Sequence, residues 1–203
     1  LFVFLTSINA QSFKLGLFTG YGSSAFENFD DNAGTIPAGV QALISLDKLK
    51  FGSIDLGAEF SYSVVPFTFE LQQQVNQQVI KVADWKIKQM IIAFVGKVKF
   101  LKKSAAHPFV RVGAGLYSGG STFDFTDEFK QIAQQQGATL QEELDFDSAF
   151  GFNVGAGTDI QLGKAAALFA EFVYHIVSRK PEGAAEAGGA NNWAIQVGVL
   201  SAL

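Results

Sequence analysis

The stretch Ser53-Ile-Asp-Leu-Gly-Ala-Glu-Phe-Ser-Tyr-Ser-Val64 decides the fold. Ile54, Leu56, Ala58, Phe60, Tyr62 and Val64 share one parity, and Asp55, Gly57, Glu59, Ser61 and Ser63 share the other. Successive side chains of a strand point to opposite faces, so this order makes a ribbon with one apolar and one polar side. A helix, with its period of 3.6, would scatter both sets around its axis. The same split recurs at 150–162, where Phe152, Val154, Ala156 and Ile160 alternate with Gly151, Asn153, Gly155, Gly157, Asp159 and Gln161.

Working outward, eight segments show this alternation: 13–21, 38–46, 51–64, 89–100, 109–117, 149–162, 166–176 and 192–203. The number is even, and the connections alternate in length. Short turns near 47–50, 101–107 and 163–165 interleave with long connections after the first, third, fifth and seventh segments. Long and short loops therefore fall on opposite ends, as in bacterial outer-membrane barrels with short periplasmic turns and long extracellular loops. The expected fold is all-β, an eight-stranded antiparallel up-and-down transmembrane β-barrel over 11–203, with an outer-membrane location.

Alternation alone also fits a soluble sandwich. The polar parity here is Gly interspersed with isolated charges, which suits a crowded lumen better than a solvated sheet face. The apolar parity is almost free of charge, as a face in lipid must be. Tyr21, Tyr62, Tyr174 and Trp193 share the outward parity near strand ends, where an aromatic girdle belongs. Gly and Phe contribute 21 residues each to a chain of 203, consistent with closely packed strands and aromatic faces. Apolar runs such as 90–95 are far short of the roughly 18 residues a membrane helix needs. With no Cys, disulfide frameworks and thiol chemistry are excluded. The net charge of −4 with dispersed cations lacks the basic stripe of a nucleic-acid binder.

Residues 1–10, LFVFLTSINA, read as the remnant of a secretory signal peptide with cleavage after Ala10. A buried first strand over 1–5 is the alternative.

On the inward parity stand Asp55, Glu59, Lys97, Lys99, Arg111, Asp159 and Glu171, joined by Lys14. Four acids face four bases, and buried charges persist when paired. A salt-bridged polar core is expected, centred on Glu59, Lys97, Lys99, Arg111 and Glu171, with Lys14, Asp55 and Asp159 nearer the strand ends. An ion pathway or a catalytic carboxylate pair would use the same residue types. Phe18, Leu43, Phe169 and Val173 are the inward apolar residues. The stretch 118–148 carries Asp124, Asp127, Glu128, Glu142, Glu143, Asp145 and Asp147 against Lys130 alone. A solvated acidic loop with a short helix over 127–136 is expected; its carboxylates are also the ligand type for a divalent cation bridging to anionic lipopolysaccharide.

His107-Pro-Phe-Val-Arg-Val-Gly-Ala-Gly-Leu-Tyr117 has the Pro, aromatic and spaced glycines of a fifth strand. Phe150-Gly-Phe-Asn-Val-Gly-Ala-Gly-Thr-Asp159, running on to Leu168-Phe-Ala-Glu-Phe-Val-Tyr-His175, looks like the sixth-to-seventh-strand hairpin. In these stretches the chain resembles the OmpA/OmpX/OmpW-type outer-membrane β-barrel family, from about Ser12 onward. The resemblance implies outer-membrane lipids and lipopolysaccharide as partners, with an extracellular partner reached through the long loops. It implies a structural or surface-interaction role, or alternatively a channel for small or hydrophobic solutes of the OmpW kind. His175 and Ser178 invite comparison with outer-membrane lipid A deacylases, but those place Ser two residues after His and here the separation is three. No catalytic residue, cofactor or metal is assigned. Protease shaving of intact cells is expected to cut within 118–148, and cleavage confined to 47–50 or 101–107 would show the opposite orientation.

Overall fold

The alternating segments become antiparallel strands, each paired with its neighbour along the chain. The protein is described here from a computed structural model covering residues 12–26, 33–46, 52–73, 78–101, 103–163, 165–179 and 188–202. The strands are β1 (Ser12–Phe26), β2 (Ala33–Thr35), β3 (Ala38–Leu46), β4 (Gly52–Gln73), β5 (Gln78–Phe100), β6 (Ala106–Phe125), β7 (Glu143–Gln161), β8 (Ala166–Arg179) and β9 (Gly188–Ala202). A helix, α1 (Asp127–Gln135), joins β6 to β7. The expected signal-peptide remnant over 1–10 and the turn at 47–50 lie outside the described residues.

Pairing of β1 with β9, from Lys14 opposite Ala202 to Phe26 opposite Ala190, closes the sheet on itself. The short β2 continues the line of β3 along β1, with Thr19 opposite Ala38 and Gly22 opposite Thr35. Pro37, which has no N–H to give the ladder, marks the break, and its carbonyl accepts from the Gly20 N–H at 3.0 Å. The ring therefore has eight strands. Closure removes the open edges that a flat sheet would leave to aggregate.

The outer face is apolar and uncovered: Leu17 is 67% exposed, Val112 62% and Phe94 62%. A continuous band of this kind is stable only against lipid. At its rim Tyr21 and Trp193 meet edge to face at 6.4 Å, and Trp193 stacks on Phe172 at 6.1 Å. The fold is an eight-stranded antiparallel up-and-down transmembrane β-barrel.

The strands run well past the segments expected from sequence. β4 has 22 residues and β5 has 23, where about 9–11 suffice to cross a bilayer. The excess in β4 to β7 stands at the long-loop end, so much of what the sequence assigned to loops is strand. There the pattern inverts: Trp85 and Ile87 point inward and are buried, while Lys86 and Lys88 point outward and are exposed. Bulges between Phe69 and Glu70 and between Tyr117 and Gly119 further break the simple parity. Thr126 caps α1, its Oγ1 accepting from the Phe129 N–H at 3.4 Å. Asp127 and Glu128 lie in the first turn, where a negative charge complements the helix dipole. Gly137, with φ of 69°, ends the helix in the left-handed conformation that Gly accepts without strain. Within the stretch 118–148, only residues around 126 and 136–142 lie outside strand and helix, and 136–142 is where shaving should cut.

Val112→Arg places a cation on the lipid face and is expected to lower unfolding free energy in lipid vesicles by about 2–4 kcal/mol. Urea titrations of the two proteins measure this, and an unchanged midpoint would show that the face is not in lipid.

Candidate functional site: the charged lumen

Inward parity delivers the charges to the barrel axis in two layers. The central layer is built around Arg111 of β6. Its two terminal nitrogens hold Glu59 of β4 in a fork, 3.1 Å to each carboxylate oxygen. One of them also donates to Glu171 Oε1 of β8 at 2.9 Å, and the other to Asn153 Oδ1 of β7 at 3.1 Å. Lys97 of β5 brings its ammonium to 3.1 Å from Glu171 Oε2. That approach is an ion pair without hydrogen-bond geometry; the rings of Phe109 and Phe169, each 4.8 Å from Lys97 Nζ, supply cation–π contacts.

The register explains why Glu171 matters. Lys97 and Arg111 are direct cross-strand partners, an arrangement that is repulsive for like charges. Glu171 reaches across the lumen and places one oxygen on each. All four charged side chains of the layer are buried. Glycine makes the room: a Cβ on Gly155, directly opposite Arg111 in register, would come within 2.9 Å of Arg111 Cγ.

The second layer lies toward the short-turn end. Lys99 Nζ is 2.5 Å from Asp55 Oδ2 and also pairs with Asp159. Asp55 is further held by Lys14 Nζ at 3.3 Å and by Ser45 Oγ at 2.5 Å. Lys99, expected from sequence in the central group, belongs here instead. It stands two residues beyond Lys97 on the same face, level with Phe109 rather than Arg111. A pocket of 340 Å³ opens at this end, lined by Ser12, Lys14, Ser53, His107 and Gln161 among others. Leu43, Val95, Phe109 and Phe169 also point inward and are buried.

Above the central layer, Tyr117 and His175 meet at 2.9 Å through the phenol oxygen and Nδ1, and Asn153 Nδ2 donates to the same phenol oxygen at 3.5 Å. Asn192 Nδ2 donates to Gln89 Oε1 at 3.1 Å. His175 faces the lumen and Ser178 is exposed, so the two do not form a nucleophile–base pair.

Phe18, Leu43, Phe169 and Val173 are buried on the inward face, yet they are not the whole inward apolar set. Val65, Trp85 and Ile87 form a second cluster with Phe123 and Phe146 at the long-loop mouth. Trp85 stacks on Phe123 at 5.6 Å, and the stack continues through Phe125 to Phe129 of α1. Sequence reasoning missed this cluster because it placed 65–88 and 118–148 in loops. Asn153 was legible by parity as inward, but nothing in the sequence marked it as a partner of Arg111.

The acidic residues of 118–148 are spread along the outer strand faces and α1. Among the described residues no three of them converge as metal ligands. Lys130 pairs with Glu142 at 3.1 Å, and that contact raises the lysine above its ordinary pKa.

The arrangement is that of a small outer-membrane barrel. Neisserial surface protein A superposes with a TM-score of 0.53 at 12% identity, covering 93% of this chain and 96% of that one. The outer membrane protease OmpT from Escherichia coli does so at 0.51 and 8% identity, covering 97% and 98%. For the outer membrane protein OprG from Pseudomonas aeruginosa the values are 0.47 and 16%, with 95% of each chain covered. No family profile and no curated protein matches the sequence. The likeness is one of fold.

Glu171→Gln strands Lys97 while Arg111 keeps Glu59, and breaking a buried pair in this way costs about 3–5 kcal/mol. Arg111→Ala, which leaves Glu59 without its fork, is expected to cost a similar amount. Denaturant unfolding in lipid checks both, and wild-type stability in either variant would show the layer to be solvated.

Proposed function

We propose that this chain is an integral outer-membrane protein with a structural or surface-interaction role, its lumen plugged by paired charges. The short-turn end then faces the periplasm, and the extension of β4 to β7 with α1 stands outside the cell. The observation that carries the reading is the central layer. Arg111, Lys97, Glu59 and Glu171 meet on the axis with no exposed side-chain surface to speak of, and bulky apolar residues fill the level beside them. Eight strands enclose an interior only wide enough for side chains to fill it. The acidic outer surface, bearing Asp124, Asp127, Glu128, Glu143, Asp145 and Asp147, is what an extracellular partner would meet. Enzymatic activity forms no part of this reading, since His175 is engaged by Tyr117 inside the lumen.

One observation favours a second reading, a channel for small or hydrophobic solutes. Val65, Trp85, Ile87, Phe123 and Phe146 make an apolar patch at the long-loop mouth, the lining such a solute would need. The central layer blocks its way through the barrel.

Purified protein in planar bilayers is expected to show no steady conductance, whereas Arg111→Ala combined with Glu171→Gln, if folded, should open intermittent small conductances. A stable open channel in the unmutated protein would overturn the plug and promote the transport reading.

A further inference from the structure

The second charge layer is a string, and both of its ends are open. Lys14, Asp55, Lys99 and Asp159 alternate in sign across the short-turn end of the lumen. Its middle is saturated: Asp55 takes both lysines on Oδ2 and the Ser45 hydroxyl on Oδ1, and Lys99 lies between two carboxylates. The ends differ. An ammonium carries three donors, and among the described residues Lys14 has Asp55 as its one acceptor, with its side chain 17% exposed. Asp159 turns Oδ2 to Lys99, while its Oδ1 has no partner although the residue is wholly buried. His107 stands directly opposite Asp159 in register, and its Nε2 is also buried without a partner.

A buried carboxylate oxygen and a buried imidazole nitrogen left unbonded each carry the cost of a lost hydrogen bond to water. Lys14, His107 and Asp159 all line the 340 Å³ pocket that opens at this end, so a partner from solution has a place to sit. Its chemistry is fixed at three points. At Asp159 it must donate, and a cationic donor bonds most strongly there. At Lys14 it must accept, and an anion does so best. Taken whole it must be neutral, because two acids and two bases already balance and a further net charge would stand uncompensated in the layer. A bare metal ion fails the last condition, and no three metal-ligating side chains converge among the described residues.

We propose that this pocket binds a small zwitterion of dipeptide size, its ammonium on Asp159 Oδ1 and His107 Nε2 and its carboxylate on Lys14. With the imidazole proton on Nδ1, Nε2 is the acceptor the ammonium needs. Three contacts of hydrogen-bond length, about 2.8 Å each, hold the two open ends no more than roughly 10 Å apart. A ligand whose charges stand several bonds apart spans that string, and an α-amino acid, whose charges share one carbon, does not. Gln161 and Ser53, also in the lining, offer donors and acceptors to a peptide group, and Ala167 and Leu200 receive its apolar atoms. The ligand lays its dipole against the string, so each of its charges meets the opposite one. Entry is from the periplasm in the orientation proposed above, although binding itself does not depend on that orientation.

The test uses the full chain refolded into nonionic micelles, with folding verified for each protein by its heat-sensitive mobility in gels. Glycylglycine, its N-acetylated form, its C-terminal amide, glycine and glycerol are the probes, and binding is read by ligand-observed NMR titration. One charge-assisted hydrogen bond is worth about tenfold in affinity. Glycylglycine should therefore bind saturably, and each blocked form about tenfold more weakly. Lys14→Gln should weaken glycylglycine about tenfold and leave the amide unchanged, because the amide has no carboxylate to lose. Asp159→Asn should weaken glycylglycine and leave the acetylated form unchanged. A merely structural loss would weaken every probe alike, and that result in Lys14→Gln counts against the site. If Asp159→Asn does not fold, Lys14→Gln with the amide decides alone. Lys103→Gln, in a turn at the same end, is the control that leaves all affinities as they are. Absence of saturable binding by the folded, unmutated protein overturns the proposal. So does equal affinity for glycylglycine and for its blocked forms, glycine or glycerol, which would make the pocket a hydrated vestibule. A steady conductance of the unmutated protein would count against the plug, separately from the pocket.

Discussion

The central charge layer is organised by a repulsion. Register sets Lys97 and Arg111 side by side on adjacent strands, where like charges repel. The chain resolves it from the far wall, where Glu171 divides its carboxylate between them. Asn153 and the bidentate Glu59 accept from the terminal nitrogens of Arg111, and the rings of Phe109 and Phe169 flank the Lys97 ammonium. The glycines on neighbouring strands are a consequence, because a guanidinium drawn across the axis needs its stem to pass close to backbone.

A second constraint is the change of solvent along each strand. In the membrane the outward side chains must be apolar and the inward ones carry the polar groups; beyond the girdle the outward side meets water and the inward side becomes a small hydrophobic core. β5 passes through both regimes, from Phe94 outward and Lys97 inward to Lys86 outward and Trp85 inward. The aromatic stack from Trp85 to Phe129 is the core of that upper section, and it anchors α1 over the mouth.

The barrel was legible in the sequence because the membrane regime gives the cleanest possible alternation: 53–64 and 150–162 needed only parity. The same parity assigned Glu59, Arg111 and Glu171 to the lumen. Strand length was not legible, since 81–88 read as charged loop once the apolar set crossed to the other face and bulges disturbed the period. The grouping of Lys99 with Asp55 and Asp159 was also hidden, because it depends on stagger between strands, which parity does not specify. The bridging role of Glu171 is a property of barrel curvature, which brings β8 across from β5 and β6, and nothing local to residue 171 records it.

The central layer draws Glu59, Lys97, Arg111, Asn153 and Glu171 from five consecutive strands, β4 to β8. β1, by contrast, offers the axis Gly16, Phe18, Gly20 and Gly22 with a single cation, Lys14, at its end. The seam between β1 and β9 therefore lies outside the central network altogether. The ion pairs of that layer are all made within β4 to β8, while β9 adds the buried Gln196, in register with Glu171, and β1 adds backbone pairing and Phe18. Closing the cylinder along β1 thus completes the second layer, through Lys14 and Asp55, and leaves the ion pairs of the central layer as they are.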